Sequence, residues 1–331
     1  MEKINKWNFV LLFVFSMLSF TFIEEAPAIK NKKQFRIAVI SDLNSSYGST
    51  TYHPDVAATL KELDSIKPDL ILCAGDMVAG QKKNLTAANI AEMWQSFKLT
   101  ILSPVTKMGI PFAFTVGNHD ASPTYSTDRE MAKQFWIENK KALSLNFVDD
   151  QHFPFFFSYI KNDVFFISWD AAGSAVKPEV YEWMKLQLQS KAAKKAKLRI
   201  LLGHLPLYAI VDSKNKAGEV LANTKATSDF FIENGVDLYI SGHQHAYYPS
   251  QMNGLRLLNA GCIGEGPRQL IGDQTPATRA YTLIDIPLRS AQKFTYKTFV
   301  PNQHKEIALH QLPDSVIGFN GISKRERAPI K

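Results

Sequence analysis

Cysteine is scarce in this chain: two among 331 residues, and no C-x-x-C pair. That excludes a disulfide-dense scaffold and a cysteine-ligated structural zinc site. Long apolar runs are short supply as well. The run Phe9–Ile23 has 15 residues, against about 20 for a helix that crosses a bilayer. There is no internal repeat and no interdomain linker. With 17 Gly and 16 Pro in a chain that is 45% hydrophobic and 21% charged, collagenous, low-complexity and disordered classes are excluded too. Acid is in deficit: 31 Asp and Glu face 38 Lys and Arg, giving a net charge of +7. Such a balance favours anionic partners, namely nucleic acid, phosphorylated metabolites or an acidic membrane surface. The length suits one large domain or two small ones.

What is present begins with the leader. Lys3 and Lys6 precede Phe9–Ile23, and Ala26-Pro27-Ala28 follows with small residues at A-x-A spacing. Basic start, apolar core and small-residue end are the order of a secretory signal. Residues 1–28 are therefore expected to be an export signal, placing the protein in the periplasm or outside the cell. The alternative is an uncleaved N-terminal anchor, favoured by Glu24-Glu25 and the one route to a membrane. Export would put Cys73 and Cys262 where they can pair. Cys73, however, sits inside Leu70–Ala74 and reads as a buried thiol acting as a small hydrophobe.

Downstream, short apolar runs end abruptly in polar clusters. Arg36–Ile40 ends at Ser41-Asp42, Asp69–Ala74 at Gly75-Asp76, and Phe112–Val116 at Gly117-Asn118-His119-Asp120. Leu198–Leu202 ends at Gly203-His204, and Val236–Ile240 at Ser241-Gly242-His243-Gln244-His245. These read as strands buried on both faces. Helical patterns lie between them at residues 54–66, 86–107, 178–196 and 223–234, which predicts βαβ crossovers. Phe155–Ile160 and Val164–Trp169 read as a hairpin. Arg256–Ala260, Arg279–Ile286 and Lys293–Val300 follow one another without a helix. The expected class is α/β with antiparallel additions: one domain over residues 35–300 and a C-terminal extension over 301–331.

Four of the eight histidines fall at these strand ends, beside Asp42, Asp76, Asn118 and Asp120. In open α/β sheets, ligands bind outside the carboxyl ends of strands. Oxygen and imidazole donors suit Mn, Fe, Zn or Mg-like ions. Six or seven candidates exceed the three protein ligands of a mononuclear catalytic zinc. They suit two ions, about 3.5–4 Å apart, with an Asp such as Asp76 between them.

Taken together, Asp42-Leu43-Asn44, Gly75-Asp76, Gly117-Asn118-His119-Asp120, His204 and Gly242-His243-Gln244-His245 resemble the calcineurin-like metallophosphoesterase superfamily. Its pattern is D-x-H, G-D, G-N-H-[DE], a lone His and G-H-x-H, and the resemblance runs from about Phe35 to Gly264. It implies a four-layer αββα sandwich of two mixed sheets flanked by helices. It also implies that Asp42 and His245 bind a first divalent or mixed-valence ion, with position 44 as a further ligand. Asn118, His204 and His243 would bind a second, and Asp76 would bridge both. His119 would stand over the phosphoryl group as general acid, oriented by Asp120. One position departs from the pattern: Asn44 replaces the usual histidine. An amide oxygen is a weaker donor than imidazole, so Asn44 either ligates a looser ion or hydrogen-bonds the bridging water.

The chemistry so implied is hydrolysis of a small, nucleotide-like phosphomonoester or phosphodiester by hydroxide bridging the ions. The basic charge leaves room for a nuclease or a lipid-directed phosphodiesterase, but no basic patch interleaved with aromatics supports nucleic-acid binding. A third reading is a non-catalytic, metal-bound scaffold, which the presence of His119 argues against. Lys185, Lys191, Lys194, Lys195, Lys197 and Arg199 read as a solvated helix face, and His152, His304 and His310 as surface residues. Arg268 is a candidate phosphate grip, and Tyr208 and Tyr247 are candidate stacking groups. Nothing in the sequence sets the oligomeric state.

Overall fold

The computed structural model describes residues 33–327. The expected signal or anchor, residues 1–28, lies outside the described residues. The strands are β1 (Gln34–Ile40), β2 (Leu70–Cys73), β3 (Phe112–Phe114), β4 (Phe147–His152), β5 (Phe156–Lys161), β6 (Val164–Ser168), β7 (Leu198–Leu202) and β8 (Leu238–Ser241). They continue with β9 (Tyr247–Met252), β10 (Leu255–Ala260), β11 (Tyr281–Pro287), β12 (Thr295–Val300), β13 (Lys305–Glu306), β14 (Ser315–Gly318) and β15 (Gly321–Lys324). One sheet has the order β13-β12-β11-β1-β2-β3, the other β4-β5-β6-β7-β8-β10-β9. Each has a parallel centre, β1-β2-β3 and β6-β7-β8-β10, extended by antiparallel strands.

The strand period of two shows how the sheets are covered. Phe166, Leu198, Ile200, Leu202, Leu238 and Ile240 of the second sheet pack into one core with Ile37, Val39, Leu70 and Leu72 of the first. Phe35 meets Phe166 edge-on across that interface, centroids 6.4 Å apart. The alternate residues Phe165, Ile167, Leu201 and Tyr239 form a second core with the last three helices, α6 (Pro178–Leu188), α7 (Lys191–Lys195) and α8 (Thr224–Glu233). The first five are α1 (Pro54–Ile66), α2 (Ala87–Phe97), α3 (Ser103–Lys107), α4 (Asn118–Ala121) and α5 (Ser126–Asn139). Val56, Leu60 and Leu63 of α1, Trp94 and Phe97 of α2, and Phe135 and Trp136 of α5 join the first core. Helices, sheet, sheet, helices is the expected four-layer arrangement.

Two expected helices are interrupted. Residues 86–107 form α2 and α3 joined by a π-helical turn over Lys98–Leu102, where Pro104 has no N–H to return to the preceding turn. Residues 178–196 split because the Ser190 side chain accepts from Ala193 N, capping a new helix. Cys73 and Cys262 are both buried and unpaired. The lysines at 185, 191, 194, 195 and 197, and His152, His304 and His310, are exposed, while Arg199 is partly buried. Within 301–327, β14 and β15 pair as a hairpin, and Val316 packs with Ile210, Val211, Tyr248 and Leu270.

Candidate metal centre

Strands β1, β2 and β3 of one sheet and β7 and β8 of the other point their carboxyl ends at a common edge. Main chain and side chain stitch that edge together. Asp42 N donates to Gly75 O at 3.0 Å, Gly242 N to His204 O at 3.0 Å, and His243 N crosses between sheets to both Asp42 carboxylate oxygens at 3.2 and 3.1 Å. Asp42, Asp76, His243 and His245 all have left-handed backbones, with φ of 50, 54, 67 and 54°. That conformation is uncommon for non-glycine residues and clusters where geometry matters more than local comfort. The motif glycines are there for space. A Cβ on Gly117 would sit 2.2 Å from Asp76 Oδ1, and one on Gly242 would sit 2.1 Å from Ser41 Oγ.

The donors fall into two groups that share Asp76: Asp76, His204 and His243, and Asp42, Asp76 and His245, all buried. Hydrogen bonds on the far side of each donor fix its orientation. His204 Nδ1 faces the Ala74 carbonyl at 2.7 Å. A carbonyl only accepts, so Nδ1 donates. Nε2 then faces two more acceptors, Asn118 Oδ1 at 3.0 Å and Asp76 Oδ2 at 3.2 Å. The Asn118 amide donates to Gln81 Oε1 at 2.6 Å, which turns its oxygen inward. His243 Nε2 meets Glu219 Oε2 at 2.8 Å and leaves Nδ1 against Asn118 Oδ1 at 2.8 Å. His245 Nδ1 meets Gly266 O at 3.0 Å, which leaves Nε2 3.1 Å from Asp42 Oδ1. Lone pairs thus converge from every side, and among the described residues buried Asp76 Oδ2 has no nearer polar partner than His204 Nε2 at 3.2 Å. Only cations or protons reconcile such a set, so the residues present fit metal ions.

Charge agrees with geometry. Burial alone would raise the Asp76 carboxyl, but the imidazoles of His204 and His119 hold it well below the usual carboxylate range. Burial would likewise raise Asp42, and His245 overrides it. Burial pushes His204 down, yet Asp76 and Asp42 outweigh it and lift the imidazole to about 9. His243 goes the other way, to about 3, through burial and the Lys214 ammonium.

His119 lies beside this set rather than in it. Its N–H donates to Asp76 Oδ1 at 2.9 Å, its Nδ1 is 3.2 Å from Gly80 O, and its Nε2 is 3.9 Å from Asp76 Oδ2. The orienting contact expected from Asp120 is made by Gly80 instead. Asp120 is buried in α4 and accepts from three main-chain amides, Met77, Val78 and Gly117, at 2.8–2.9 Å. Burial and the nearby Asp76 charge raise it to about 7. Asp120 ties the second and third strand-end loops together. Asn44 is buried at the same edge, with its N–H on Asp76 O and its carbonyl on Glu265 N. His53 is committed elsewhere, as N-cap of α1.

Above the centre opens a cavity of about 560 Å³. It is lined by Asn118, His119 and His243, and by Tyr47, Gln81, Lys214, Glu219 and Arg268. Of these five, only Arg268 stood out in the sequence. Tyr47 is 54% exposed and leans on His119 with centroids 5.0 Å apart. Tyr208 and Tyr247 do not take the stacking position expected of them. The Tyr208 hydroxyl meets Met252 Sδ, and Tyr247 lines a separate recess with Leu270 and Pro276.

Fold and donor set together define a class: a four-layer α/β protein whose strand-end donors are suited to metal ions. Over residues 35–247 the chain matches the model of the calcineurin-like phosphoesterases, and it belongs to that family. It is similar to a phosphoenolpyruvate phosphatase of Allium cepa, 24% identical over 223 residues, or 67% of this chain and 43% of that protein. The chain thus spans less than half the length of that relative. Among solved structures it is similar to purple acid phosphatase PPD1 from yellow lupin seeds, with a TM-score of 0.60, 14% identity, and 83% of this chain and 52% of that one covered. It is also similar to GAP50, the anchor in the inner membrane complex of Plasmodium, with a TM-score of 0.54, 14% identity, and 89% and 90% covered. At these identities the likeness shows the fold alone, and activity resides in the site rather than in the fold.

Proposed function

We propose that this protein is a hydrolase of phosphoric esters that works with two divalent or mixed-valence ions, Mn, Fe or Zn, on small phosphomonoesters. The observation that carries it is Asp76: one buried carboxylate common to two donor groups that otherwise share no member. When bound, such ions polarise the phosphoryl oxygens and acidify water. The rest is the work of the chain. Asp42, Asp76 and His245 would hold one ion, with Asn44 beside them, and Asp76, Asn118, His204 and His243 the other. His119, held through Nδ1 by Gly80 O, presents Nε2 to the cavity and protonates the departing oxygen, a task worth about 10²–10⁴-fold. Tyr47 restricts the ring from its outer face. The phosphatase name of the Allium relative supports a monoester over a diester. The order of residues 1–28 supports export, which the N-terminal mass of the mature protein tests directly.

The decisive experiment is metal analysis joined to a substrate panel: nitrophenyl phosphate, bis-nitrophenyl phosphate, cyclic nucleotides, nucleotides and DNA. Two ions with turnover of nitrophenyl phosphate is the expected result. Turnover of the diester alone would make it a phosphodiesterase, and of DNA a nuclease. Two ions with no turnover would make it a scaffold. The His119→Ala variant should lose far more rate on alkyl phosphates than on nitrophenyl phosphate, whose leaving group needs no proton. Equal losses would remove His119 from the acid role.

A further inference from the structure

The walls of the cavity over the metal centre are unlike. One side carries Tyr47, Gln81 and His119. The other carries two basic side chains, Lys214 and Arg268, and a single carboxylate, Glu219. That carboxylate is shared: Glu219 Oε2 lies 2.8 Å from His243 Nε2 and 3.6 Å from Lys214 Nζ. Glu219 is therefore already engaged by both neighbours. Lys214 Nζ also lies 3.2 Å from both ring nitrogens of His243. Arg268 Nη1 donates to the His243 carbonyl at 3.3 Å, and among the described residues Arg268 forms no ion pair. Lys214 and Arg268 thus both reach His243 from the lining of one cavity. Two cations against a single carboxylate that is already engaged favour an anion beside them. The reacting phosphoryl group would find its positive partners in the ions, which leaves this charge for another group.

We propose that Lys214 and Arg268 form a subsite for a second oxyanion on the substrate, a carboxylate or a further phosphate carried by the leaving group. The preferred substrates are then phosphomonoesters of small acids, rather than of neutral alcohols. This rests on the phosphoester-hydrolase reading. Guanidinium and ammonium together suit a planar carboxylate and a tetrahedral phosphate alike, so the chemistry they share is the oxyanion.

The test is binding of non-hydrolysable ligands to the ion-loaded protein by calorimetry. Methylphosphonate carries one acidic group, phosphonoacetate adds a carboxylate, and methylenediphosphonate adds a phosphonate. The wild type should bind one or both two-acid ligands at least ~10-fold more tightly than methylphosphonate, as expected for an added charge-assisted contact. Whichever gains more names the source of the oxyanion. The Arg268→Gln variant should erase the gain and leave methylphosphonate within about twofold, and Lys214→Gln should move the same way. Ion content is measured before and after each titration. No gain in the wild type overturns the subsite. So does equal weakening of all three ligands in Arg268→Gln, which would assign the cation to the reacting group. Nitrophenyl phosphate turnover by the wild type, run in parallel, separates the two claims. A gain without turnover keeps the subsite and removes the hydrolase, and turnover without a gain does the reverse.

Discussion

The two halves of the metal centre share Asp76 and differ in nearly everything else. In the half of His204 and His243, every donor is backed from behind: His204 by Ala74 O, Asn118 by Gln81, His243 by Glu219. Such partners fix tautomer and direction, and losing one typically weakens metal binding about 10–100-fold. The half of Asp42 and His245 is backed by Ser41 Oγ, the His243 amide and Gly266 O. It offers one imidazole where the other offers two, and Asn44 stands where the family pattern has a second. The difference teaches that two donor groups sharing one carboxylate need not be evenly built. The donor set expects one ion held tightly and one exchangeable.

The strongest blow to both halves is Asp76→Asn. It is close to isosteric but removes the shared charge. Metal analysis should find fewer than two ions per chain, with phosphoester turnover reduced about 1,000-fold, the scale of a lost electrostatic stabiliser. Two ions retained would mean that Asp76 is no bridge. Next comes Glu219→Gln, which keeps the shape of the His243 support without its charge. Competition with a chelating dye should show the tighter ion weakened about 10–100-fold and the looser one unchanged. Asn44→His acts on the other half: the looser ion should tighten and the two binding steps draw together. If the steps stay as far apart, position 44 does not face the ion.

Proton and ion compete for the same place, which gives a pH test. In ion-free protein the folded-state pKa of His204 is raised from 6.5 to about 9. The protonated ring between carboxylates therefore contributes stability that is complete below about 6.5 and lost as pH rises through 9. Without ions, Tm should fall across that window. With ions in place of the proton the fall should vanish, and in a His204→Asn variant it should be absent throughout. A fall that persists in His204→Asn would assign it to another group.

How legible was this in the sequence? The strand ends were, because a buried parallel strand is a short apolar run and its ligands follow it directly, as Ile71-Leu72-Cys73-Ala74 leads to Asp76. Local order sufficed there. The supports were not legible. Gln81 and Glu219 lie in loops and Lys214 ends a single 3-10 turn, Asp212–Lys214; none has a sequence pattern of its own, and only the folded path brings them within reach of Asn118 and His243. Tyr47 meets His119 from 72 positions away in the chain, with no periodic signal. Helix α5 was hidden because its apolar face is sparse, chiefly Ala132, Phe135 and Trp136. Strand β9 was hidden by Pro249, which is tolerated only because β9 is the last strand of its sheet.

The smallest expected effect comes from farthest away, at the tip of the β14–β15 hairpin. Asn320 Nδ2 donates to Thr224 Oγ1 at 2.6 Å and to the carbonyls of Leu221 and Leu207 at 3.0 and 3.2 Å. Beside it, Phe319 O accepts from Ala209 N at 3.1 Å, and its N–H donates to Asn215 Oδ1 at 2.6 Å. These contacts bracket residues 207–221, the segment that carries Lys214 and Glu219. The Asn320 backbone has φ of 77°, which asparagine and glycine accept more readily than alanine. Asn320→Gly therefore removes the side chain without adding strain, and costs about 0.5–1.5 kcal/mol for the lost hydrogen bonds, since the Thr224 hydroxyl still reaches both carbonyls. That should lower Tm by a few degrees and slightly weaken the ion held by His243, while the ion of Asp42 and His245 is unmoved. Equal weakening of both ions would mean that the halves respond as one unit, and that their contrast ends at the ligand shell.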